Sequence, residues 1–144
     1  MKLEKHLDSL NEVLDEIHVA LQDSRGTLSH QRRLALMLSL GVCDLIEIYF
    51  HKLKIIKTGS RLKHDWFKQK RIKEKLETQI IVPIDTIKEI EPILLLGAAI
   101  EESRDDLAYG SPLNEEFILN KKINQFLELK KIIEKTSCEL NETE

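Results

Sequence analysis

Leu3, Leu7, Leu10, Leu14, Ile17 and Leu21 recur at alternating spacings of four and three, the interval that lines residues along one face of an α-helix. Alternation on a strand would scatter those positions over both faces, so the N-terminal segment reads as a helix of about six turns. Its apolar seam is one face of a bundle packed inside the same domain. Gly26 ends it, and Thr27 or Ser29 is placed to cap the second helix.

The helical pattern resumes from about Leu28 to Lys57, with Leu34, Leu38, Val42, Leu45, Ile46, Tyr49, Leu53 and Ile56 on the buried face. His30, Arg32 and Arg33 lie near its start, where positive charge opposes the helix dipole; Asp23 or a bound anion is expected to offset them. After the turn Lys57-Thr58-Gly59-Ser60, a shorter basic helix is expected from Arg61 to Glu77, carrying Trp66, Phe67, Ile72 and Leu76. Thr78 to Pro83 crosses back, with Ile80-Ile81-Val82 as a short extended piece. A further helix runs from about Asp85 to Ala108, kinked or started by Pro92. The last helix spans Pro112 to Ser137, with Phe117, Ile123, Phe126, Ile132 and Ile133 as contacts.

Only 5 Gly and 3 Pro occur in 144 residues rich in Leu, Ile, Lys and Glu, a balance that favours helices over strands. The expectation is an all-α fold: an up-and-down bundle of four long helices plus a short basic helix. It forms a single domain over residues 1–137, with a polar tail at 138–144.

Several chemistries find no support. Cys43 and Cys138 are far apart and suggest neither a disulfide framework nor a zinc site, and Cys43 among apolar neighbours reads as an inert thiol. The five histidines lack the close spacings that place two metal ligands on one face, so no metal and no cofactor is expected. The N-terminus has no apolar signal core and no apolar span suited to a bilayer, which gives a cytoplasmic protein without a membrane partner as the expectation.

Charge is spread unevenly. The chain has a formal net charge of −3, yet seven basic residues face two acids between Arg61 and Lys75. Arg61, Lys63, Lys68, Lys70 and Arg71 are candidate phosphate contacts, and Trp66 and Phe67 are rings that can stack on unpaired bases. The two rings are adjacent and point about 100° apart on a helix, so at least one is expected to pack inward as a core anchor.

The densest polar cluster is Glu101-Glu102-Ser103-Arg104-Asp105-Asp106, on the closing turns of a helix whose preceding run, Ile93 to Ile100, is apolar all round and suits an interior or an interface. A lone guanidinium beside buried surface is costly, so Arg104 is expected to meet carboxylates, a partner subunit or a ligand phosphate. Tyr109-Gly110-Ser111-Pro112 reads as punctuation, with Gly110 in a left-handed cap and Pro112 opening the next helix.

Two segments resemble the HEPN superfamily, small four- or five-helix bundles that include toxin ribonucleases and nucleotidyltransferase-associated partners. Leu34 to Phe50 looks like the family's first core helix, and Ile100 to Gly110 like the end of its later one. There the family carries Arg followed by Asn, Asp or His, then a His after four to six intervening residues. Arg104 and Asp105 match the first two positions; the third falls on Tyr109, Gly110 and Ser111, and no histidine occurs downstream.

The resemblance implies a homodimeric module, of toxin–antitoxin or nucleotidyltransferase-associated type, that binds RNA or a nucleotide without the usual ribonuclease activity. Arg104 would hold a phosphate, Asp105 and Glu101 would fix its fork, and Tyr109 would cap the cleft. One alternative is a metal-independent ribonuclease that uses Arg104 with His64 or Tyr109. Another is a non-enzymatic module whose Leu3–Leu21 seam or Ile93–Ile100 run pairs with a partner protein.

Overall fold

The computed structural model describes residues 2–142 and is an all-α helical bundle over them. The first helix, α1 (Leu3–Gln22), spans the stretch its leucine spacing predicts, but its buried stripe is His6, Leu10, Val13, Ile17 and Ala20. Leu7 and Leu21 are exposed, at 37% and 51%. The buried face leaves Leu7 and Leu21 outside and brings His6 against Asp44 and Glu47 of the next helix, while the small Val13 and Ala20 of α1 permit close packing.

Thr27–His30 forms a 3-10 turn that leads into α2 (Gln31–Leu53). Gly26 adopts φ 87 at the break, as only glycine does without strain. α2 ends at Lys54, a left-handed residue whose N–H bonds the His51 and Phe50 carbonyls. The helix stops short of Lys57 because Ile55 to Lys57 leaves to pair with the crossing strand: Lys57 N donates to Gln79 O at 2.9 Å and Ile81 N to Ile55 O at 2.9 Å. The expected extended piece is thus a lone antiparallel bridge, Ile56 with Ile80.

Residues Thr27–Leu53 are long and apolar enough to cross a membrane by length and composition, a span not foreseen from the sequence, yet 78% of the apolar window is buried inside the fold. The apolarity has a packing cause: Leu34, Leu38, Leu45, Ile46, Tyr49 and Phe50 are all within 2% of complete burial.

The basic segment is not one helix. His64–Lys68 is a 3-10 turn and α3 covers Ile72–Glu77. Phe67 is the inward ring, 3% exposed, against Gly97, where an added Cβ would lie 3.0 Å from its Cδ1. Trp66 stays partly buried beneath Lys75, whose Nζ is 5.9 Å from the ring centroid. Anchoring Phe67 sets the turn against the core and breaks the helical path before Ile72.

α4 (Ile90–Glu101) follows a 3-10 turn at Ile84–Thr86. Pro92 sits in its first turn, where a backbone N–H has no helical partner to lose, so it marks the start rather than a kink. Ile93, Leu94, Gly97 and Ile100 are buried, but Leu95 is 72% exposed, so only part of the run is covered.

The expected helix over 85–108 breaks again at Glu102-Ser103. Ser103 is left-handed at φ 64, and Arg104 opens a separate helix, α5 (Arg104–Tyr109), instead of closing the old one. The buried Lys122 ammonium donates to the carbonyls of Ala99 at 2.8 Å and Glu102 at 2.5 Å, which satisfies the exposed end of α4.

Gly110 is extended, φ −88, not left-handed. Its need for glycine is spatial, since a Cβ would meet Asp106 O at 2.5 Å. Gln31 then straps the following segment, donating to Leu107 O at 3.1 Å and accepting from Leu113 N at 2.8 Å. The last helix, α6 (Phe117–Glu142), therefore begins after Pro112 and continues beyond Ser137. α1, α2 and α6, of 20, 23 and 26 residues, are the long members of the bundle.

Candidate functional site

Arg104 lines a cleft of about 580 Å³ with Lys68, Ala98, Glu101, Ser103 and Asp106. Its side chain is 15% exposed, and Nη1 donates to Asp105 Oδ1 at 2.7 Å. Nε is buried without a hydrogen-bond partner among the described residues. The left-handed Ser103 separates α4 from α5 and makes Arg104 the first residue of the new helix.

Glu101 does not hold Arg104. It is 4% exposed, and its two oxygens accept from Ser39 Oγ at 2.6 Å and pair with His64 Nδ1 at 2.7 Å. The Nδ1 contact fixes the ring of His64, whose side chain is 35% exposed.

His64 lines a second cleft, of about 800 Å³, together with His6, Cys43, Asp44, Glu47, Arg61 and Lys63. The Glu101–His64 pair is therefore the wall between the two clefts. Of the basic candidates, Lys68 shares the Arg104 cleft, whereas Arg61 and Lys63 belong to the second. Lys70 is exposed and Arg71 pairs with Glu74 at 2.9 Å on the surface; neither lines a cleft. Tyr109 is 70% exposed at the far end of α5, away from both.

The second cleft holds a cluster that histidine spacing did not reveal. His6 from α1 meets two acids of α2: Nδ1 is 3.0 Å from Asp44 Oδ1, and Nε2 is 2.8 Å from Glu47 Oε2 but off the hydrogen-bonding direction. Glu47 Oε1 accepts from Leu62 N at 2.8 Å. All three side chains are buried. Burial alone pulls the His6 pKa down, but the adjacent carboxylates of Asp44 and Glu47 outweigh that and push it up to about 9. Burial raises the Asp44 carboxyl, and His6 pulls it only partly back. The available signal was two acids three apart inside the apolar stretch Val42 to Phe50.

Burial also pushes the Cys43 thiol far up, so it stays protonated. At the start of α2, His30 lies between Glu16 at 2.9 Å and Asp23 at 2.8 Å, with Arg33 Nε on Glu16 at 3.0 Å. The positive charge there is offset by acids of the chain, Asp23 among them.

Comparison of the chain with protein-family models, with curated proteins and with solved structures finds no match.

Proposed function

We propose that the protein is a HEPN-like module that binds a phosphate-bearing ligand, RNA or a nucleotide, in the Arg104 cleft. The toxin–antitoxin or nucleotidyltransferase-associated type and the homodimer come with that resemblance. The carrying observation is the unpartnered, buried Nε of Arg104. Asp105 engages Nη1 only, and a buried donor without an acceptor costs about 1–3 kcal/mol. A phosphate offers two oxygens to the guanidinium fork and so fits the remaining donors, while Lys68 adds charge from across the cleft.

Glu102 and Asp106 also line this cleft. Their repulsion opposes a polyanion laid indiscriminately over the surface and favours one phosphate held in a defined place. The salt dependence is therefore shallow: two cationic contacts give a slope of roughly −1.4 in log K against log salt for a single strand.

The test is fluorescence anisotropy with a labelled single-stranded RNA and with a labelled nucleotide at two salt concentrations. Arg104→Ala weakens binding at least tenfold and Lys68→Ala weakens it less. Equal binding by wild type and Arg104→Ala overturns the proposal.

One observation favours a second reading, a metal-independent ribonuclease. His64 is oriented by the buried carboxylate of Glu101, three residues before Arg104 across the break at Glu102-Ser103. In chelator, cleavage of RNA by wild type that is lost in both His64→Ala and Arg104→Ala establishes it; binding without cleavage leaves the first reading in place.

A further inference from the structure

We propose that His6 and Glu47, positioned by Asp44 and Leu62, bind one divalent transition-metal ion at the base of the second cleft. The site lies in a different cleft from Arg104, so this inference does not rest on phosphate binding there.

Candidate ligand atoms of His6, Asp44 and Glu47 lie within 4.8 Å of one another, close to the widest span of two donors on one ion at about 2.0–2.2 Å each. His6 is 2% exposed, and its Nε2 has no hydrogen-bond partner among the described residues although Glu47 Oε2 is 2.8 Å away. A proton shared between those atoms must lie near the line joining them, and the ring is not turned to put it there. A metal ion lies along the Nε2 lone pair, off the line between the two atoms, and so does not need that alignment. With bonds near 2.1 Å, a 2.8 Å separation corresponds to an angle of roughly 85° at the ion, the edge of a five- or six-coordinate shell.

The outer contacts fit the same assignment. Asp44 Oδ1 sits 3.0 Å from Nδ1 and holds its proton there, so an ion that displaces the proton from Nε2 takes that nitrogen's lone pair. Leu62 N donates to Glu47 Oε1 and leaves Oε2 to coordinate. A ligating histidine held by a carboxylate, and a ligating carboxylate that is itself hydrogen-bonded, are the usual supports of a metal site. Two protein ligands leave the other positions to water, and His6, Asp44 and Glu47 are all among the residues that line the cleft. A neutral His6 and two carboxylates carry −2, which a divalent ion balances within the buried cluster.

The test uses the full chain stripped with a chelator and titrated with Mn²⁺ and with Zn²⁺. Calorimetry is expected to give one equivalent of bound ion. Glu47→Gln and His6→Gln weaken binding at least 100-fold, and Asp44→Asn weakens it 10–100-fold by loosening the ring. Glu4→Gln, on an exposed position of α1, binds as wild type does. No binding by wild type, or wild-type affinity in Glu47→Gln, overturns the proposal. A measurement without substitution guards against variants that do not fold: on adding Zn²⁺, the ¹⁵N resonance of His6 Nε2 shifts while Nδ1 keeps its proton. A His6 ring unmoved by Zn²⁺ overturns the assignment equally.

Discussion

His64 Nδ1 lies 2.7 Å from Glu101 Oε1, which ties the basic 3-10 turn to the last residue of α4 across the wall between two clefts. Glu101 is buried and accepts from Ser39 as well, so one carboxylate from α4 fixes α2 and the segment before α3. The pair sets the orientation of His64 on the wall beside the Arg104 cleft, which links packing directly to whatever chemistry this region performs.

Removal of that carboxylate exposes the cost. Glu101→Ala leaves Ser39 and His64 without their acceptor beside buried surface, and is expected to destabilise the fold by about 2–4 kcal/mol. Urea denaturation measures it. A loss below about 0.5 kcal/mol would show that the Ser39–Glu101–His64 contact does not persist in solution.

Lys122 is the second tie. The residue is 8% exposed, its ammonium donates to carbonyls of Ala99, Ile100 and Glu102, and burial lowers its pKa. Lys122→Met keeps the stem's packing but leaves those carbonyls unpaired, for an expected loss of about 1–3 kcal/mol. Because the carbonyls sit at the α4 end, amide exchange should speed up most at Glu102 to Leu107. Uniform change across the bundle would rule out a local capping role.

The sequence revealed what local chemistry controls. The α1 helix follows from leucine spacing, and the inward ring from the adjacency of Trp66 and Phe67. Asp105 could be paired with Arg104 because the two are neighbours. What depends on distant segments was hidden. The left-handed turn at Ser103 is stabilised by Lys122 from another helix, and nothing in Glu101-Glu102-Ser103-Arg104 announces a break. The His6 cluster joins residues 38 and 41 positions apart, so histidine spacing could not find it, and the two leucines expected in the α1 seam are outside for the same reason.

Gly41 tests the closeness of the helices around α2. A Cβ there would lie 2.6 Å from Phe126 Cε2 and 3.1 Å from Val13 Cγ1, so α1 and α6 approach through the missing side chain. Gly41→Ala is expected to cost about 1–3 kcal/mol by overpacking, despite alanine's better helix propensity. Thermal denaturation beside an alanine substitution at a solvent-exposed helical site decides it, and stabilisation by Gly41→Ala would contradict the observed approach.

The pH dependence of the metal-free protein follows from His6. Its pKa is about 9 when folded, above the ordinary 6.5, so the folded state holds a proton that the unfolded state releases between those values. The stabilisation is complete below pH 6.5 and is lost as pH rises through 9. The full shift corresponds to on the order of 3 kcal/mol. Asp44, Glu47 and the His51 ring, 5.7 Å away, are the titratable neighbours. With chelator present, urea midpoints should therefore fall between pH 6.5 and 9, and His6→Gln should flatten most of that slope. An unchanged slope in His6→Gln would assign the proton to another group.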